Sequence, residues 1–128
     1  MSNEADNIVS GIIAKWCAGF AKLDAVALSS LYSRNTFFFG SNPRLYRDRD
    51  GVADYFNGLP RWRKPSATFS EVQAAQAGPD LINMGATISF DLAGERPDLV
   101  VKMSWVVIRE DGDWKIVNHH ASSKEPLI

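Results

Sequence analysis

The last quarter of the chain sets the tightest limit on its fold. Residues 103–123 read as two apolar, β-rich runs on either side of Glu110-Asp-Gly-Asp113. An Asp-Gly step between such runs is a strong short-range signal for a β-hairpin. A hairpin here commits both arms to an antiparallel sheet. The returning arm carries His119 and His120, the two histidines of the protein. A group that titrates near neutral pH therefore sits towards the end of a sheet strand.

The rest of the sequence supplies what packs on that sheet. Ile8, Val9, Ile12, Ile13, Trp16, Cys17 and Phe20 recur at three- and four-residue steps, the period of an amphipathic helix over residues 5–22. Asp24 suits the N-cap of a second short helix carrying Val26, Leu28 and Leu31. Residues 36–39, an aromatic run ending at Gly40, read as a strand or a turn entry, and 43–49 as a loop. A third helix over 51–57 takes Asp48 or Asp50 as its cap and closes at Gly58 and Pro60. Beyond Pro65 the pattern is β. Strands are expected over 68–76, 81–92, 99–109 and 114–122, with a turn at Gly78-Pro79-Asp80 and a hairpin loop over 93–97. Helices followed by antiparallel strands make an α+β layer architecture. A length of 128 residues suits one domain over 1–128.

Parity then assigns faces. Pairing Glu110 with Asp113 sets Arg109 opposite Trp114, Val107 opposite Ile116, Trp105 opposite Asn118 and Met103 opposite His120. Cross-strand partners share a face. If the 93–97 loop closes symmetrically, Asn83, Gly85, Thr87 and Ser89 join them. One face is then mixed: Met103, Trp105, Asn118, His120 and Thr87. The other is greasy: Ile82, Met84, Ile88, Val106, Ile108 and Val117. A one-residue slip would exchange the two sets. An apolar wall with a few polar groups has the make-up of a small-molecule pocket.

Composition narrows the partners. A net charge of −1 gives no electrostatic case for a nucleic acid or a membrane surface. Arg44, Arg47, Arg49, Arg61, Arg63 and Lys64 cluster within 43–64, where they form either a gate for an anionic ligand or a solvated loop face. One cysteine, Cys17, leaves no internal disulfide, and its place on the apolar stripe of the first helix reads as a core thiol. No basic segment precedes an apolar run at the start, and no apolar run reaches the length of a membrane span. A cytoplasmic protein is expected. Adjacent strand residues alternate faces, so His119 and His120 do not chelate one metal, and no metal site is expected. No Gly-rich phosphate loop or G-x-S-x-G element is present, and no cofactor is expected.

Three stretches carry a family resemblance: Trp16 through Asp24 with Leu31-Tyr32, Asp48-Arg-Asp-Gly-Val-Ala-Asp-Tyr-Phe56, and Asp111-Gly-Asp-Trp-Lys-Ile-Val-Asn-His-His-Ala-Ser-Ser123. In order and spacing they resemble the nuclear transport factor 2-like superfamily, which includes SnoaL-like and ketosteroid isomerase-like proteins. Within it the chain looks most like the association domain of calcium/calmodulin-dependent kinase II and its small bacterial relatives. The resemblance implies a cone-shaped, cystatin-like fold, with N-terminal helices packed on a strongly curved mixed or antiparallel sheet that encloses a pocket. It also implies a homodimer packed sheet against sheet, or a larger ring.

The same resemblance tests for chemistry. Ketosteroid isomerase-like enzymes combine a tyrosine donor, a carboxylate base and a protonated aspartate. Those positions look like Trp16, Gly40 and Met103 or Ser104 here, which disfavours catalysis of that type. The arginines that line the kinase association-domain pocket look like Gly85 and Trp105.

Three functional readings follow. The first is a dimer that binds a small organic molecule in a pocket lined by Trp16, Phe38, Phe56, Thr87, Met103, Trp105, Asn118 and His120. The second is an enzyme with His120 as acid–base and Asn118 as orienter, against the alternative of a hydrogen-bonded structural histidine. The third is an association module without a ligand.

Overall fold

The structure, a computed structural model, describes residues 3–92 and 99–128. The expected hairpin loop over 93–97 lies outside the described residues. In chain order the elements are α1 (Glu4–Ala21), α2 (Ala25–Ser29), β1 (Tyr32–Phe39), β2 (Leu45–Arg47), α3 (Asp48–Asn57), β3 (Ser66–Gly78), β4 (Leu81–Asp91), β5 (Leu99–Glu110) and β6 (Asp113–Ser123).

Local chemistry explains the ends of the helices. Asn3 caps α1 by accepting from the Asp6 N–H at 2.8 Å, while the Asp6 carboxylate reaches back to the Asn3 N–H. Asp24 caps α2 through the Ala27 N–H. Of the two cap candidates for α3, Asp48 takes the Gly51 N–H at 2.9 Å. At the far end of α3, the Arg61 guanidinium donates to the Phe56 carbonyl in the last turn and to the Leu59 carbonyl just beyond the helix. The segment expected to be a loop over 43–49 instead forms β2 and starts α3. Tyr46 is the reason: its side chain is buried, with its ring edge-on to Phe38.

The six strands run in the order β2-β1-β6-β5-β4-β3. Every neighbouring pair is antiparallel except β1 and β6, which are parallel. The expectation of a strongly curved sheet is corrected here. The sheet is open, neither strongly curled nor closed, because β2 and β3 end the order as free edges and do not pair with each other. That expectation rested on resemblance and on no residue of this chain. Without closure, the helices cover the inner face. The α1 helix packs along β3, and α3 packs on β1 and α2. Ala5, Val9, Ile12, Trp16 and Phe20 of α1 are buried together with Ile82, Met84, Ile88, Trp105, Val107 and Ile116 of the sheet.

The β5–β6 hairpin turns at Asp111 and Gly112, both with positive φ (53° and 80°), as a two-residue turn of this twist requires. Its register begins as the sequence predicts, with Arg109 opposite Trp114 and Val107 opposite Ile116. Then it shifts. Asn118 pairs with Val106, His119 with Trp105, His120 with Ser104 and Ala121 with Met103. Val117 is the extra residue of a β-bulge, and one extra residue exchanges the faces of everything beyond it. Across β4, Met84 lies opposite Trp105 and Ala86 opposite Met103. The inner face therefore joins Ile82, Met84 and Ile88 to Met103, Trp105 and His119.

One buried acid ties three parts of the fold together. Glu110, at the end of β5, accepts from the Ser33 hydroxyl at 2.6 Å and from the Arg34 N–H at 3.3 Å. Arg49 of α3 donates to the same carboxylate at 2.9 Å and to the Tyr32 carbonyl at 2.8 Å. Burial alone would push this carboxyl up. The Ser33 and Arg34 hydrogen bonds and the charges of Arg34 and Arg49 outweigh burial and hold it below the usual carboxylate range.

Candidate functional site

A cavity of about 420 Å³ lies between the helices and the inner face of the sheet. That volume is within the range of small-molecule sites. Its wall is aromatic and aliphatic: Trp16 and Phe20 from α1, Phe38 from β1, Tyr55 and Phe56 from α3, and Ile88, Val101 and Met103 from the sheet. Trp16 stacks on Phe20 with centroids 5.4 Å apart and meets Phe56 and Phe69 edge-on. Such contacts fix the rings and give the wall a set shape. Of the described residues lining the cavity, Tyr55 and His119 are the titratable ones.

Tyr55 is committed to the rim. Its hydroxyl donates to Ser41 Oγ at 2.8 Å and accepts from the Ser41 N–H at 2.9 Å. The ring lies over Gly40, where a Cβ would fall 2.5 Å from Tyr55 Cζ. The position that resembles a carboxylate base in isomerases thus has no room for any side chain.

His119 is the polar group at the back of the cavity. It is 4% exposed, and its ring stacks on Phe38 with centroids 4.0 Å apart. Trp105 Nε1 donates to His119 Nδ1 at 3.0 Å. The Tyr32 hydroxyl, which accepts from Trp16 Nε1 at 3.0 Å, lies 2.9 Å from the same Nδ1. Indole N–H groups only donate, so Nδ1 must present its lone pair and the proton of the neutral ring sits on Nε2. No hydrogen bond to Nε2 occurs among the described residues, and none of their fully buried side-chain nitrogens or oxygens lacks a partner. Nε2 therefore opens onto the cavity that His119 lines.

Burial, with a smaller contribution from the neighbouring His120, pushes the His119 imidazole down to about 3. Burial also pushes the Tyr32 phenol far above its ordinary value. Both groups are neutral across the physiological range.

Of the residues expected to line a ligand pocket, Trp16, Phe38, Phe56 and Met103 border this cavity. Trp105 is fully buried behind the wall and bonds to His119. The structure places Thr87, Asn118 and His120 on the opposite face of the sheet. There Thr87 donates to Glu71 at 3.1 Å, Asn118 and His120 are exposed, and the His120 ring lies near Phe39. The Val117 bulge exchanges the faces of Asn118 and His120. Thr87 is opposite Lys102, on a strand whose parity was carried across residues outside the described set.

His119 was missed as a cavity residue because strict alternation puts it outside. The sequence does not mark the slip; the structure shows it in the burial of Ile116 and His119 three residues apart, where an unbroken strand would show two or four. Phe20, Tyr55, Leu59 and Trp62 also line the cavity and were not among the expected residues. Among the described residues, no group of three or more His, Cys, Asp or Glu side chains could hold a metal ion. Nor is any described helix long and apolar enough to cross a membrane.

The SnoaL-like domain matches residues 9–126. The chain belongs to the SnoaL-like family. No curated protein sequence matches it. Solved structures of similar fold include a Xanthomonas campestris protein described as a calcium/calmodulin dependent protein kinase II association domain. It has a TM-score of 0.85 at 21% identity, over 99% of this chain and 91% of that one. Hexachlorocyclohexane dehydrochlorinase LinA-type3 from Novosphingobium barchaimii LL02 gives 0.79 at 16% identity, over 94% and 86%. A Novosphingobium aromaticivorans protein described as a scytalone dehydratase gives 0.81 at 15% identity, over 94% and 84%. At these identities the likeness speaks for the SnoaL-like fold alone.

Proposed function

We propose that this SnoaL-like protein binds a small, largely apolar organic molecule in the cavity, with the His119 ring as its polar anchor. One observation carries the reading: an aromatic-walled space of about 420 Å³ with the His119 Nε2 opening into it. Trp16, Phe38, Phe56 and Met103 supply the apolar contact. Two proteins of similar fold are described as a hexachlorocyclohexane dehydrochlorinase and a scytalone dehydratase, descriptions that name small molecules. The cavity lining of this chain holds no carboxylate among the described residues, which favours binding over proton abstraction by an acid of the wall.

The same proposal includes a homodimer formed through the outer face of the sheet. Phe37 and Leu45, 45% and 42% exposed, flank that face near His120 and Asn118. Exposed apolar residues on one face of a sheet are a ready surface for a second copy.

Native mass spectrometry on freshly purified protein tests both parts. A dimer carrying an extra mass that leaves on denaturation is expected. A monomer at micromolar concentration would count against the dimer. Ala121→Phe, which places a ring in the cavity, should abolish ligand-induced stabilisation while the fold survives. Equal stabilisation in that variant would sink the binding reading.

A further inference from the structure

Resting on that reading of the cavity, we infer that the site selects molecules by a hydrogen-bond acceptor. The fixed proton on His119 Nε2 recognises a neutral carbonyl-type oxygen on a flat apolar body.

Trp16 Nε1–H donates to the Tyr32 hydroxyl, leaving the phenolic hydrogen to point at His119 Nδ1. Trp105 Nε1–H donates to that same nitrogen from the other side. Two donors converge on one lone pair. Moving the imidazole proton to Nδ1 would set it against the indole N–H of Trp105, which has no acceptor capacity to answer it. Adding a second proton would do the same and would also bury a charge. The two tryptophans and the tyrosine therefore hold the ring in a single state, Nε2–H, and the tautomer of a histidine is set by the bonds at its other nitrogen.

Among the described residues, none that lines the cavity carries a formal charge. From α1 the ring's cavity is faced by Trp16 and Phe20, from α3 by Tyr55 and Phe56, from β1 by Phe38, and from β5 by Val101 and Met103. Tyr32 and the adjacent His120 are the other titratable groups near it. Tyr55 spends its hydroxyl on Ser41. A ligand that offers only donors at this point would oppose N–H to N–H. An ammonium would lose its hydration with no carboxylate among the described lining residues to meet it. A ketone, quinone or lactone oxygen satisfies Nε2–H and leaves the rest of the molecule to the aromatic wall.

The test has two independent readouts. The first is ¹⁵N NMR of the histidine rings in the free protein, with His120→Asn to assign the remaining signal. It should show a protonated Nε2 and an unprotonated Nδ1 for His119, unchanged from about pH 5 to about pH 9. An Nδ1–H tautomer, or an imidazolium in that range, would overturn the inference whatever the protein binds. The second compares a flat ketone, α-tetralone, with its hydrocarbon, tetralin. The ketone should bind about two- to tenfold tighter, the gain of one hydrogen bond, and His119→Phe should erase the difference. Equal affinity for the two in the native protein would refute selection by the acceptor. If neither binds while NMR shows Nε2–H, the cavity reading itself fails and the ligand class falls with it.

Discussion

The imidazole of His119 lies on the ring of Phe38, centroids 4.0 Å apart and planes 22° from parallel, while its edge receives the indole N–H of Trp105 at 3.0 Å. The ring is thus fixed in two directions, by a face contact from β1 and a hydrogen bond from β5. Removing the second should free its chemistry without removing it from the cavity. In Trp105→Phe, Nδ1 loses the donor that opposes its protonation. Burial still holds the His119 imidazole down, so its pKa should rise only part of the way, followed as a change in the ¹⁵N titration. A loss of about 1–3 kcal/mol in stability should accompany the smaller ring at a fully buried position. An unchanged titration would mean that burial alone, and not Trp105, keeps the ring neutral.

Acid should weaken the fold earlier than its carboxylates require. His119 binds a proton in the unfolded chain below about 6.5 and in the folded protein only near 3. Between those values the unfolded state holds the extra proton, so stability falls as pH drops through this window and is intact above it. By about pH 5 the loss from this group is about 1–2 kcal/mol. Glu110, whose pKa is also depressed, adds a further loss below the usual carboxylate range. Urea unfolding across pH should show the first slope in the native protein and lack it in His119→Gln.

Glu110→Gln should loosen the junction of β1, α3 and the β5–β6 hairpin. The amide cannot answer Ser33, the Arg34 N–H and Arg49 with the same acceptors, and Arg49 loses its counter-charge. A cost of about 1–3 kcal/mol is expected by chemical denaturation, since charge-assisted bonds to a buried group are lost. No change in midpoint would show that the clamp is dispensable.

Gly40→Ala should disturb the rim. Its Cβ would meet Tyr55 Cζ at 2.5 Å and Oη at 2.6 Å, and that ring is held by Phe38, Phe56 and Tyr46. Tyr55 must shift and give up Ser41, for about 1–3 kcal/mol. Retention of native stability would imply a rim that yields more easily than its packing indicates.

Much of this was legible in the sequence because it was written in local chemistry. The apolar steps of α1, the Asp24 cap and the Asp-Gly turn each depend on near neighbours, and each is where the pattern puts it. The register of β6 was legible as far as Ile116. Beyond it, Val117 carries no glycine or proline to mark a bulge. A valine fits a regular strand as well as it fits this one, so parity failed by one residue and sent His119 to the wrong face on paper. The short β2 escaped for a related reason: three residues are too few to show alternation, and burial of Tyr46 against Phe38 is a tertiary fact. The curvature of the sheet was inferred from relatives, and this chain's open strand order does not share it.

The central claim is that the cavity holds a small molecule by an oxygen on His119. A crystal structure of the protein grown with α-tetralone tests it most directly. The account predicts the ketone among Trp16, Phe38 and Phe56, its oxygen about 2.7–3.2 Å from His119 Nε2. A ketone bound with its oxygen turned away from His119, or a cavity left empty at saturating ketone, would contradict it.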